Sequence, residues 1–138
     1  MEREISIMGF NLIKISGSKN PEFKGDLEIN PKINIKSIEE YSSKFVKEDL
    51  LKIEFSFIID YKDYAEINLE GSIILKTDSK TMKEVLRGWK EKKIDNEVQV
   101  IILNLIMNKA SIRAIELEEE LGLPLHIRLP SIQLSKKD

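Results

Sequence analysis

The stretch DNEVQVIILNLIMNKASIRAIELEEEL, from Asp95 to Leu121, decides how the rest of this chain is read. Asp95 is a good residue to open a helix, and Gly122, just past its end, is a good one to close it. Between them the apolar residues fall into two sets. Val98, Ile101, Leu105, Ile112 and Ile115 make one, and Leu103, Met107, Ala110, Ala114, Leu117 and Leu121 make the other. At about 100° per residue the two stripes lie roughly 160° apart on one helix. Such a helix wants apolar partners on two opposite sides.

A sheet covers only the side of a helix turned toward it, so the second stripe needs another element or a second copy of the chain. In 138 residues there are few spare elements. The surplus stripe, Leu103, Met107, Ala110, Ala114 and Leu117, is therefore read as an oligomer interface, with Lys109, Arg113, Glu116 and Glu120 as the wet edge. The competing reading is a helix fully buried within one domain.

Working outward, the segment before this helix begins at Asp78 or Ser79, either able to accept from a first-turn amide. Met82, Val85, Leu86 and Trp89 follow at helical spacing, with Gly88 weakening the middle by roughly 1 kcal/mol relative to alanine. Trp89 reads as a core residue that seats the helix, or as a surface on which extended peptides stack. Before it lie the two clearest strands. Ile53, Phe55, Phe57, Ile59 and Tyr61 alternate with polar residues, and after a turn at Lys62 and Asp63 so do Ile67, Leu69, Gly71, Ile73 and Leu75. Two such runs make an antiparallel hairpin with one apolar and one wet face.

The earlier chain is less regular. Ile5 and Ile7 share one face, Met8, Phe10 and Leu12 the other, and Ile13 and Ile15 the first again, with Gly9 near the first slip where a bulge is cheap. A strand apolar on both faces is central or interfacial. Gly17 to Pro21 is loop chemistry, and Phe23 beyond it either anchors a partner or pins the loop to its own core. Leu27, Ile29, Ile33 and Ile35 form a half-buried strand broken by Pro31, hence an edge or a true strand start there. Ile38 to Phe45 reads as a continuing extended ribbon. At the other end Leu123, Leu125, Ile127 and Leu129 alternate with Pro124, His126, Arg128 and Pro130, giving an extended tail that lies along the body to about Ile132.

Composition narrows the functions. With 22 basic and 24 acidic residues the net charge is −2, without the basic excess of a nucleic-acid footprint. There is no cysteine, so thiol chemistry is out and a reducing cytoplasm is permitted. The start lacks a signal-peptide pattern and no long unbroken apolar run occurs, so a cytoplasmic protein without membrane insertion is expected. The single histidine, His126, leaves no metal cluster and has no obvious catalytic partner in sequence. No phosphate-cradling glycine loop is present, and Glu118 to Glu120 read as a wet helix end. No cofactor, metal or catalytic residue is expected, and the chain reads as a non-enzyme.

Four strands, a shorter helix, a long helix and a Leu-Pro tail make an α+β layout: one domain over 1–138, with strands over about 4–76, helices over about 78–122 and the tail over 123–138. The residues resemble the SecB family of preprotein-export chaperones. The likeness is most specific at Glu66-Ile67-Asn68-Leu69-Glu70-Gly71-Ser72-Ile73, around Leu103-Asn104-Leu105-Ile106, and at Gly122-Leu123-Pro124 through Leu129-Pro130-Ser131-Ile132. It implies a four-stranded antiparallel sheet packed against two C-terminal helices. It also implies assembly as a dimer of dimers and holding of unfolded polypeptides in apolar grooves without ATP.

By that resemblance Phe10, Leu12, Phe23, Trp89, Leu123 and Leu125 are the expected client contacts. Glu66 falls on the acidic position used for docking to the export motor. Departures bear on the last point. The stretch Ser16 to Asn30 carries one aromatic instead of several, and Lys14 and Ser18 replace acidic positions. Holding clients carries over better than delivery to a translocation motor. Some relatives guard an antitoxin from aggregation, which is an alternative role. A hotdog-type acyl thioesterase also wraps a long helix in a sheet but needs a carboxylate facing a seam pocket, and a non-catalytic oligomeric adaptor needs no client affinity.

Overall fold

The computed structural model describes residues 4–42 and 49–134. Four strands, β1 (Ile5–Lys19), β2 (Asn30–Tyr41), β3 (Leu50–Asp60) and β4 (Ala65–Thr77), are followed by two helices, α1 (Ser79–Lys90) and α2 (Asn96–Leu121). The sheet order is β1-β4-β3-β2, with every neighbouring pair antiparallel. The expected α+β architecture is present, and the β3–β4 hairpin is its centre.

Period-two patterning explains that centre. Leu51, Ile53, Phe55, Phe57, Ile59 and Tyr61 on β3 and its end, and Ile67, Leu69, Ile73 and Leu75 on β4, are all fully buried. Each such side chain stabilises the fold by roughly 1.5–3 kcal/mol relative to leaving it in water. Lys62 takes a left-handed φ of 63° in the turn between the strands. At Gly71 a Cβ would stand 2.1 Å from the Asn11 carbonyl oxygen, so β1 approaches β4 closely only because no side chain is there.

β1, read as central or interfacial, is an edge strand. Its register against β4 shifts between Ile7 and Gly9 and again between Leu12 and Lys14, leaving Met8 and Ile13 as the extra residues. The first shift lies where Gly9 suggested a bulge. Its consequence is that Ile5, Ile7, Phe10 and Leu12 all turn to the core face, opposite Thr77, Leu75, Ile73 and Gly71. β2 starts at Asn30 on the other edge, as Pro31 implied, and stays extended to Tyr41; Phe45 lies outside the described residues. A third shift frees Lys36, whose Nζ donates to Glu70 Oε1 at 2.7 Å. That bond, with Lys36 and Lys14 nearby, holds the Glu70 carboxyl below its ordinary value.

Asp78 caps α1, accepting from the Thr81 amide at 3.0 Å and the Thr81 hydroxyl at 2.6 Å. Gly88 has a reason beyond propensity: the chain turns back so closely that a Cβ there would lie 2.8 Å from the Lys93 carbonyl oxygen. The Lys93 amide in turn donates to the Gly88 carbonyl at 2.7 Å. Asp95 precedes α2 but makes no side-chain capping bond. At the far end Gly122 takes φ 65°, and the amides of Gly122 and Leu123 return to the carbonyls of Glu119 and Glu118.

α2 packs over β1 and β4, and α1 over β2. The helix is buried along Val98, Ile102, Ile106, Ala110, Ala114 and Leu117. Residues four apart advance about 40° around a helix, so this line drifts as α2 runs obliquely over the sheet. It crosses between the two stripes read from sequence and corrects them. Ala110, Ala114 and Leu117 belong to the chain's own core and are not available as an oligomer surface, while Leu103 and Met107 are half-buried. The apolar residues left outward belong to the other flank: Ile112 is 61% exposed, Val100 55%, and Ile101, Leu105 and Ile115 are half-buried. By length and composition α2 is also apolar enough to cross a membrane, which the sequence reading did not anticipate.

Candidate functional site

Two regions carry chemistry: an exposed apolar surface and a buried polar relay. On β1 the exposed apolar residues are the bulged Met8 and Ile13, with Ile15 nearby, at 51%, 77% and 45%. The expected contacts Phe10 and Leu12 point inward instead, because the bulge at Met8 resets the alternation. Phe10 stacks on Phe55 at 5.7 Å between ring centroids. Phe23 is half-buried and stacks on Tyr64 at 5.7 Å, so it pins its loop to the body.

Leu123 is likewise part of the core, packed under the turn that Gly122 makes, and is not a surface contact. Leu125 and Trp89 are half-buried, and Trp89 opens onto a cavity of about 900 Å³ at the corner between α1 and α2. Glu66 stands exposed on the wet face of the sheet, opposite Ser18 on β1 and Asp60 on β3. Of the six expected contacts, Phe10, Leu12 and Leu123 pack on the core, Phe23 pins its loop, and Trp89 lines the corner cavity. Beyond His126 the tail leaves the body early: Ile132 and Leu134 are fully exposed, where contact to Ile132 was expected.

The relay was missed in sequence. Ser111 Oγ lies 2.8 Å from His126 Nε2, and His126 Nδ1 lies 2.7 Å from Glu118 Oε1. Glu118 Oε2 accepts from the His126 backbone amide at 2.9 Å and from the Tyr61 hydroxyl, which is also 2.7 Å from the Pro124 carbonyl oxygen. The His126 ring stands edge-on to Phe57 at 5.5 Å. Burial pushes the Tyr61 phenol well above its ordinary value, and the adjoining Glu118 carboxyl pushes it further in the same direction. His126 therefore has partners, although none is close in sequence. Ser111 and Glu118 are seven residues apart, two turns on one face of α2, and two polar groups so aligned within an apolar helix were the available signal.

The order serine, histidine, carboxylate is that of acyl-transfer enzymes, but the setting differs. The side chains of His126 and Glu118 are 0% exposed and Ser111 is 5% exposed, so no substrate carbonyl reaches the hydroxyl. Ser111 lies inside α2, where backbone N–H groups bond to carbonyls one turn back and leave no donors for an oxyanion. The arrangement instead ties residues 123–126 to α2 and to the end of β3. Among the described residues no group of three or more histidine, aspartate or glutamate side chains is placed to hold a metal ion.

No protein-family model and no curated relative matches this sequence. Among solved structures the chain is similar to the SecB-like chaperone Rv1957 of Mycobacterium tuberculosis, in complex with a ChAD peptide from the HigA1 antitoxin Rv1956. The likeness covers 97% of this chain and 93% of that one, with a TM-score of 0.52 and 12% identity. The fold is SecB-like. At that identity the agreement concerns architecture: a four-stranded antiparallel sheet followed by two helices.

Proposed function

We propose that this chain is an ATP-independent holdase of SecB-like architecture, which self-associates and shields apolar segments of unfolded polypeptides in the cytoplasm without catalysing a reaction. The observation that carries the proposal is the coincidence of that fold with apolar side chains left outward on an edge strand and on the long helix. Met8, Ile13 and Ile15 on β1, and Val100 and Ile112 on α2, face water in the single chain. Docking of a second chain or a client over these side chains would remove them from water, and an unpaired strand edge can accept an extended peptide.

A second reading, protection of an antitoxin, is favoured by one specific observation: the similar chaperone structure contains an antitoxin peptide. The holdase reading is tested first. At stoichiometric amounts and without ATP, the protein suppresses aggregation of a denatured model protein, and Ile112→Asp weakens self-association, read by light scattering, while the fold is kept. Failure to suppress aggregation, together with no binding of unfolded chains, overturns the proposal. Binding to one antitoxin segment with indifference to unrelated unfolded chains selects the second reading.

A further inference from the structure

We propose that the cavity at the corner of α1 and α2 docks client segments in which a large apolar side chain is flanked by aspartate or glutamate. This deepens the holdase reading and rests on it, since a peptide ligand is assumed.

The floor of the cavity is apolar, formed by Trp89 and Ile94, both half-buried and both packed on the core. Its rim carries Lys90, Lys92 and Lys93, and among the described residues no acidic side chain lines it. In sequence the segment is balanced, since Glu91, Asp95 and Glu97 stand within a few residues of those lysines. The fold sorts them. Glu91 and Asp95 border a second depression, with Glu84, Arg87 and Gly88, which meets the first at Lys93. The sorting depends on Gly88, which lets the chain double back tightly, and on Lys92, whose φ of 58° reverses its direction.

The result is a local positive rim on a chain of net charge −2, surrounding an aromatic floor. An indole face takes an aliphatic or aromatic side chain, and lysines on flexible stems reach carboxylates on either side of it without demanding one fixed geometry. About 900 Å³ leaves room for more than one large side chain. A basic flank would meet like charge, which costs affinity and supplies discrimination. The site therefore sorts clients by charge while remaining tolerant of sequence.

Trp89 is the single tryptophan of the chain, so its emission reports occupancy directly. The intact protein is titrated with three tryptophan-free peptides that share a Leu-Phe-Leu core and carry flanks of Asp and Glu, of Ser, or of Lys. The acidic-flanked peptide is expected to shift Trp89 emission saturably and to bind about tenfold more tightly than the serine-flanked one, with the lysine-flanked peptide weaker still. Added salt narrows the difference. The triple variant Lys90→Gln, Lys92→Gln, Lys93→Gln is expected to abolish the preference and retain binding of the serine-flanked peptide.

Equal binding of the three peptides, or an unchanged preference in the triple variant, overturns the proposal. So does a Trp89 response to a nucleoside triphosphate that the acidic peptide fails to match. Aggregation suppression measured on the same samples separates the two levels. Suppression with no peptide response at Trp89 removes this site and leaves the holdase reading standing. A charge-selective response without suppression keeps the site and removes the holdase reading.

Discussion

Replacing Glu118 with alanine tests the tie between the tail and the body. The carboxyl accepts from the His126 backbone amide at 2.9 Å, from the Tyr61 hydroxyl, and pairs with His126 Nδ1 at 2.7 Å. Without it Tyr61 still has the Pro124 carbonyl oxygen at 2.7 Å. The His126 ring nitrogen loses its partner where both side chains are closed to water, and the part-buried His126 amide loses its acceptor. Two groups left without a partner, at about 1–3 kcal/mol each, give an expected loss of roughly 2–6 kcal/mol. That is a large share of the roughly 5–15 kcal/mol that holds a domain of this kind together.

The assay is urea unfolding followed by circular dichroism at one fixed protomer concentration, because association adds to apparent stability. In a double-mutant cycle with His126→Ala the two losses should overlap, leaving the double variant less destabilised than the sum by about 1–2 kcal/mol. A Glu118→Ala variant within about 0.5 kcal/mol of wild type, or strictly additive losses, refutes the role given to the relay.

Two further outcomes are expected. Gly71→Ala places a Cβ 2.1 Å from the Asn11 carbonyl oxygen and should cost about 3 kcal/mol by forcing β1 off β4, read as a fall in Tm with protection of β1 amides lost first. Asp78 is held below its ordinary value near 3.8 by the Thr81 hydroxyl and amide. A depressed carboxylate contributes stability above its unfolded value and loses it as pH falls through the folded one. Wild type should therefore lose urea resistance on acidification below about pH 3.8, and Asp78→Asn should flatten that limb.

What could be read in the sequence follows the strength of each periodicity. The β3–β4 hairpin was legible because the apolar residues of Ile53 to Tyr61 and Ile67 to Leu75 fall on one face with two exceptions, Ile58 and Ile74. Caps at Asp78 and Gly122 were legible because their chemistry is local. β1 was not, since which residue becomes extra depends on its partner strand, and the first shift, at Met8, reverses the facing of Phe10 and Leu12. On α2, Ile102 and Ile106 were left out of both stripes although both are buried to within 1%. Through 98–107 the helix is apolar nearly all the way round, and only the oblique sheet beneath selects a side. His126 looked solitary because Ser111 and Glu118 come from the preceding helix.

The bulges in β1 have a consequence for the edge that they interrupt. They divide it into runs of three residues (Ile5–Ile7), four (Gly9–Leu12) and six (Lys14–Lys19). Stacking into fibrils takes about six or seven consecutive residues of uniform pleat with few glycines and little charge. The single run of that length begins and ends in lysine and has Gly17 in its middle. A neighbour can thus borrow this border for a short embrace, while endless copying along it is interrupted at every few steps.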